Sequence, residues 1–171
     1  GPGVTQGALS DLLEGTSYMI DVTGSSRDTS IVGNALERGI TYKGLRADSV
    51  IGLEVMLANG EIVQTGSMRF HKWKVKNHYK HGVGPDLTSL FFQSNFGVVT
   101  KMTYKLIRKK KHQVFMKLNF HSEDRLFESM SSFNDLIKED IIDSVYHIAN
   151  SQRAVSAMLP EIYKSENVSK K

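Results

Sequence analysis

The sequence predicts an α+β chain: a mixed or antiparallel sheet with flanking helices, followed by a shorter, incomplete α/β unit. Three stretches carry this reading. Residues 49–58 (SVIGLEVMLA) put Ile51, Leu53, Val55 and Leu57 on one face at period two, with Val50, Met56 and Ala58 partly covering the other, as in a strand buried on both sides. Asn59-Gly60 then supplies a two-residue turn in which both positions tolerate positive φ, and residues 61–65 (EIVQT) return as the hairpin partner. Residues 98–107 (VVTKMTYKLI) alternate in the same way and form a further strand.

The other elements follow in order. Residues 4–14 (VTQGALSDLLE) have Thr5 as N-cap, Ala8, Leu9, Leu12 and Leu13 as an apolar stripe and Gly15 as a stop, which predicts an amphipathic helix. Residues 17–22 form a short apolar run leading into the small-residue loop Thr23, Gly24, Ser25, Ser26. Ser30 is an N-cap for a helix over 31–38, with Gly39 as its stop, and residues 42–48 read as polar loop. Residues 66–84 carry Arg69, Lys72, Lys74, Lys76, Lys80, three histidines and Trp73, and read as an exposed excursion. Two sharper alternatives are a nucleic-acid patch stacking on Trp73 and Tyr79, and a metal site from His71, His78 and His81, although that spacing matches no strong metal motif.

Residues 86–94 (DLTSLFFQS) predict a short helix with Leu87, Leu90 and Phe91 on one face. The basic run 108–111 reads as a linker between domains. Beyond it, residues 113–120 predict a strand, and Ser122 caps a helix whose Leu126, Met130, Phe133 and Ile137 read as core. Residues 145–149 read as a strand, 152–159 as a last short helix before Pro160, and the tail from Lys164 as frayed.

Composition bounds the chemistry. With 171 residues and 40% apolar side chains, the chain suits one domain of ordinary size, or one and a fraction. The net charge of +4 favours an anionic ligand without marking a nucleic-acid binder. With no cysteine, disulfides, thiolate zinc sites, iron–sulfur clusters and a cysteinyl-flavin bond are excluded. No apolar run approaches membrane-spanning length, so a cytoplasmic protein without a membrane role is expected, and Gly1-Pro2 reads as a protease-cleavage scar.

The stretch 21–42 (DVTGSSRDTSIVGNALERGITY) carries the functional reading. A small-residue loop feeding a helix start offers backbone N–H groups to an anion such as a pyrophosphate, or is simply a capped loop. GNALERG followed closely by Tyr42 resembles the FAD-binding segment of the vanillyl-alcohol oxidase and p-cresol methylhydroxylase flavoprotein family. GVGPDLTSLFFQSNFGVVTK at 82–101 is similar to that family's GP…GLFxQSNxGIVTK segment, and GLEVMLANGEIVQTG to its GMEVVLADGxxxRTG hairpin. The blocks occur in the family's order.

The resemblance implies the second subdomain of a PCMH-type FAD-binding fold over 4–110 and the start of a substrate, or cap, domain over 111–171, with the preceding phosphate-loop subdomain and most of the cap lying outside the sequence. It implies FAD as cofactor and no metal. Thr23, Gly24 and Ser25 would approach the flavin and its ribityl or phosphate portion. Ser30, Ile31, Gly33 and Asn34 would give backbone contacts, while Glu37, Gly39 and Ile40 would line the cofactor and Val98 or Val99 would present main-chain groups to the adenine. Tyr42 would be the catalytic-site residue, at the substrate, or would pack the loop. Thr23-Gly24 stands where phenol-oxidising members carry a Pro-Asp pair, which puts a para-phenol substrate in doubt. The expected activity is oxidation of a small organic substrate by hydride transfer to flavin, weak or absent in this chain alone. The alternative is a non-catalytic partner-binding module on the same scaffold, with a companion chain or a second copy covering its exposed face. No Ser/His/Asp spacing offers a rival catalytic set.

Overall fold

In the computed structural model, strand β4 (Val50–Met56) lies at the centre of a three-stranded antiparallel sheet in the order β5-β4-β6, with β5 at Ile62–Gln64 and β6 at Val98–Tyr104. The structure describes residues 1–156 apart from 71, 73, 75, 76, 82 and 154. Before the sheet come α1 (Gln6–Leu12), β1 (Tyr18–Met19), α2 (Ile31–Leu36), β2 (Ile40–Thr41) and β3 (Gly44–Leu45). After it come β7 (Ile107–Arg108) and α3 (Glu123–Lys138). This α+β arrangement of antiparallel sheet and flanking helices agrees with the expected fold class.

The hairpin β4–β5 is paired Glu54 to Gln64 and Met56 to Ile62. Its turn is not the expected two-residue Asn59-Gly60 one: the Leu57 amide donates to Glu61 O (2.8 Å) and the Gly60 amide to Leu57 O (2.9 Å), so the loop is residues 58–60, and of the Asn-Gly pair only Gly60 takes positive φ (+83°). Strand β6 pairs with the other edge of β4, with register shifts near Gly52 and after Glu54. The core is Val50, Leu53 and Val55 of β4, Val99 of β6, Val32 and Ala35 of α2, and Phe92. Each of the valine, leucine and phenylalanine side chains contributes about 1.5–3 kcal/mol on leaving water, so the face of α2 is pinned to the sheet. Beside the core, Glu54 accepts hydrogen bonds from Gln64 Nε2 (3.0 Å) and Thr100 Oγ1 (2.9 Å) and pairs with Lys101 Nζ (3.0 Å). Lys101 first, then Gln64 and Thr100, hold the Glu54 carboxyl below the usual glutamate range.

Several elements differ from expectation. Helix α1 is shorter than 4–14, and its buried side chains are not the leucine stripe: Leu12 is 76% exposed, while Gln6 and Gly7 face inward. Thr5 is nevertheless its cap, accepting from the Ala8 amide. Helix α2 stops at Leu36, and the left-handed residue after it is Arg38 (φ 53°) rather than Gly39. Residues 44–49 are not plain loop; β3 pairs with β2, and a 3-10 turn follows at Arg46–Ser49. The helix expected at 86–94 is one 3-10 turn, Thr88–Phe91. Thr88 is drawn inward, its hydroxyl donating to Thr65 Oγ1 (2.9 Å), its amide is capped by Asp86 Oδ1, and Gln93 turns left-handed at φ 50°.

β6 ends at Tyr104, so the expected strand over 98–107 is two, and β7 pairs with β1 through Tyr18–Arg108 and Met19–Ile107. The basic run is therefore stitched in rather than free: Lys109 donates its amide to Ser17 O and its ammonium to Leu13 O. Residues 113–120 are not a strand, because no described strand lies beside them to pair with, and Val114 and Phe115 are exposed. Ser122 caps α3, accepting from the Arg125 amide, yet no residue of α3 is buried; the expected core stripe is only half covered. Residues 145–149 are not a strand either, although the Val145 amide bonds to Tyr42 O (2.8 Å). Residues 151–153 are helical, while 157–171, with Leu159, Pro160 and the expected frayed tail, lie outside the described residues, as do His71 and Trp73. Among the described residues no helix is long and apolar enough to cross a membrane, and no cluster of three or more His, Cys, Asp or Glu could hold a metal.

Two predictions follow from the sheet. Gly66 takes φ +60°, and a Cβ there would press on the carbonyl of Ile51. Gly66→Ala is expected to lower stability by about 1–3 kcal/mol in urea unfolding. An unchanged midpoint would contradict this account of the turn. Because the Glu54 pKa is depressed in the folded state, its contribution is present above the ordinary value of about 4.3 and fades as pH falls through the lower folded value. The stability gap between wild type and Glu54→Gln should therefore be largest near neutrality and narrow on acidification below about pH 4. A gap independent of pH would show that the carboxylate is not held by its charge.

Candidate functional site

The stretch 21–26 is held from behind by buried polar groups. Gln6, at the start of α1, is 4% exposed. Its Oε1 accepts from the Thr23 amide and hydroxyl (3.3 Å each) and from Arg46 Nη2 (3.0 Å). Its Nε2 donates to the carbonyls of Ser25 (3.2 Å) and Ser26 (2.8 Å). Arg46, at 1% exposure, also donates to the Asp21 carbonyl (3.0 Å). The Asp21 carboxylate accepts from the Thr41 hydroxyl, which joins β2 to the loop. The Tyr42 amide donates to Val22 O (3.2 Å) beside it.

Burial lowers the Arg46 pKa against the opposing influence of Tyr104 and Asp21. Its Nε and Nη1 are buried without a hydrogen-bond partner among the described residues, and so is the Tyr104 hydroxyl. Burial raises the Tyr104 pKa, and Ser49 and Arg46 lie close enough to oppose that rise. No pattern in the sequence marks this centre. Gln6 and Arg46 are 40 positions apart, and neither sits in a motif.

The front of the loop is open. Gly24, Ser25 and Ser26 are exposed, and their amides make no hydrogen bond among the described residues. Within the loop the Thr23 and Ser25 hydroxyls bond to each other, and Ser25 also accepts from Thr29 (3.0 Å). A Cβ on Gly24 would meet nothing within 4 Å. Gly39 is the opposite case, because a Cβ there would collide with the Asn34 side chain, whose Oδ1 is itself buried without a partner among the described residues.

The start of α2 is largely occupied. Ser30 Oγ accepts from the Gly33 amide (3.1 Å) and donates to Pro2 O (2.7 Å), while the Ile31 amide donates to Val4 O (3.1 Å). Pro2 is thus tied to this unit through its carbonyl. Ile31 is buried, Gly33 and Glu37 are exposed, and Ile40 is 61% exposed.

Val98 and Val99 lie on β6, an edge strand of its sheet; Val99 is in the core and Val98 points out. Tyr42 faces the C-terminal segment, its ring edge-on to Phe115 (6.4 Å) and His147 (5.7 Å). Lys43 and Lys110 both pair with Asp143 beside it and hold that carboxyl below its usual range. The structure therefore joins Thr23, Ser25, Thr41 and Tyr42 through hydrogen bonds and Asn34 with Gly39 through contact, and leaves Val98 and Val99 apart on the sheet. Asp28 bonds only locally, to Ser26. A separate cavity of about 240 Å³ between Leu57, Val63, Arg69, Leu87 and Phe91 involves none of these residues.

Comparison with known proteins bears on this geometry. Residues 1–66 match the family model described as an FAD binding domain. The chain is 34% identical over 160 residues to 1'-carboxy-chondrochloren decarboxylase of Chondromyces crocatus, covering 91% of this chain and 29% of that protein. It is 29% identical over 157 residues to the flavoprotein subunit of 4-cresol dehydrogenase [hydroxylating] of Pseudomonas putida, covering 88% and 30%. The crystal structure of p-cresol methylhydroxylase with substrate bound superposes with a TM-score of 0.74 at 28% identity, over 84% of this chain and 28% of that one. The chain spans about three tenths of the length of the curated relatives it matches. With the matched small-residue loop open on its front and the fold shared with p-cresol methylhydroxylase, the chain carries a PCMH-type FAD-binding domain whose cofactor is FAD.

Proposed function

We propose that this chain forms one wall of the cofactor site in an FAD-dependent oxidoreductase acting on a small organic substrate. In this reading residues 4–110 are the C-terminal subdomain of the FAD-binding domain and residues 111–171 begin the substrate domain. The observation that carries it is the loop at 23–26, fixed from behind by Gln6 and open in front at Gly24. A flavin cofactor needs close backbone approach and N–H donors for its phosphate oxygens, and that loop provides both. The unpartnered Asn34 Oδ1 is a further polar atom in want of a ligand.

On this proposal Thr23, Gly24 and Ser25 meet the flavin and its chain. Ser30, Ile31, Gly33 and Asn34 supply backbone contacts and close packing, and Glu37, Gly39 and Ile40 line the cofactor. The free edge of β6 at Val98 and Val99 offers main-chain groups to the adenine. FAD bound there supplies a ring that accepts a hydride from a substrate carbon. The chain's own task is to orient the cofactor, keep water off it and place Tyr42 toward the substrate. Gly24 brings no carboxylate, so proton transfer at that point is not a task of this loop. Full activity belongs to a larger protein than this stretch, which alone is expected to bind FAD weakly.

A second reading, a non-catalytic partner-binding module, draws on the exposed apolar side chains Val114, Phe115 and Met116. Such a run is expected to be covered by a companion chain or a second copy. Light scattering that finds only monomers across the accessible concentration range would remove its support.

Gly24 gives the test of the first reading. Since a side chain there would enter open space, Gly24→Val should leave the melting temperature within about 2 °C of wild type. It should weaken FAD binding, followed by flavin fluorescence, at least about tenfold. Equal affinity in the variant, or no saturable binding by wild type up to about millimolar FAD, would sink the proposal.

A further inference from the structure

We infer that Gln6 is a positioning residue that sets which way the peptide groups of the 23–26 loop face, with Arg46 fixing the orientation of its amide. The inference rests on the reading of that loop as an FAD wall and names the device that shapes it.

A primary amide has one accepting end and one donating end, and exchanging them reverses every contact it makes. Arg46 carries only donors, so the end of Gln6 facing its Nη2 is the oxygen. The Thr23 amide, also a donor, meets the same oxygen. The nitrogen is thereby turned to the carbonyls of Ser25 and Ser26, which can only accept. All of these contacts demand one orientation, and burial excludes the water that would otherwise compete for them.

The consequence lies in the peptide planes. In a trans peptide unit the C=O and the following N–H point in opposite directions, and no bond among the described residues is cis. Drawing the Ser25 and Ser26 carbonyls inward therefore turns the N–H groups of Ser26 and Arg27 outward, where neither has a partner among the described residues. Gln6 thus faces two donors to the front of the loop without reaching the ligand itself. Arg46 acts one step further back, through Gln6.

Gln6→Glu separates this role from general stability. A glutamate keeps the length of the side chain and gains charge attraction to Arg46. In place of the donor, however, it sets a carboxylate oxygen against the carbonyls of Ser25 and Ser26, which repel it. Hydrogen exchange on the unliganded 171-residue chain reads the loop through the Thr29 amide, which bonds to Ser26 O (3.0 Å). That amide should exchange at least about tenfold faster in Gln6→Glu while the Leu53 amide in β4 stays as in wild type, and FAD affinity should fall at least about tenfold. Gln6→Met, which removes the donor without adding charge, should shift both readings the same way and serves if the glutamate variant does not fold. Unchanged Thr29 exchange in a folded variant overturns the inference, and so does faster exchange with undiminished FAD affinity. A wild-type chain that takes up no FAD overturns the functional reading instead, and the exchange data alone then decide whether Gln6 sets the loop.

Discussion

The buried guanidinium of Arg46 is the constraint on which the rest of this fold turns. A charge removed from water costs several kcal/mol unless its surroundings compensate, and among the described residues no carboxylate is bonded directly to it. What compensates is a set of oxygens from separate parts of the chain: the Gln6 side chain at the start of α1 and the Asp21 carbonyl, with the Asp21 carboxylate and Tyr104 of β6 nearby. The N-terminal helix, the loop and the sheet are tied because each contributes to solvating one cation. The hydrophobic core beside it, where α2 packs on β4 and β6, needs no such precision and could be met by many apolar sequences.

The two glycines of the matched segment show how one residue type serves two physical ends. Gly39 is small because the Asn34 side chain occupies the space beside it. Gly24 is small although none of the described residues occupies the space beside it. The first is explained by the fold and the second is not, and that difference directs attention to Gly24 as a contact point for something other than this chain.

What could be read from the sequence is what depends on near neighbours. Thr5, Ser30 and Ser122 cap the helices expected of them, because a cap is settled within three residues. The pairing of β4 with β5 across a short turn at Gly60 follows from near neighbours in the same way, although the loop is one residue longer than an Asn-Gly pair implies. The pairing of β1 with β7 joins positions 90 apart at Tyr18 and Arg108, and nothing in either two-residue strand announces it. The inward turn of Gln6 and Gly7, against the leucine pattern of α1, is likewise set by distant groups, since Gly7 packs on Arg27. At residues 113–120 and along α3 the apolar pattern is real, but the surfaces that would complete a core are absent among the described residues. Of the site, the segment 21–42 was legible as a motif, whereas the groups that shape it from behind were not.

The cap of α2 has a bearing on how this region folds. A six-residue helix is far below the length at which helices persist alone in water, because the first turn costs more order than its few bonds return. Its cap hydroxyl donates to Pro2 O, 28 positions away, and its first amide is taken by Val4 O. The helix therefore cannot precede the docking of the N-terminal segment, and its formation carries the entropy of closing that long loop. The start of α2 is thus a non-local product of folding, assembled only when both ends of that loop have come together.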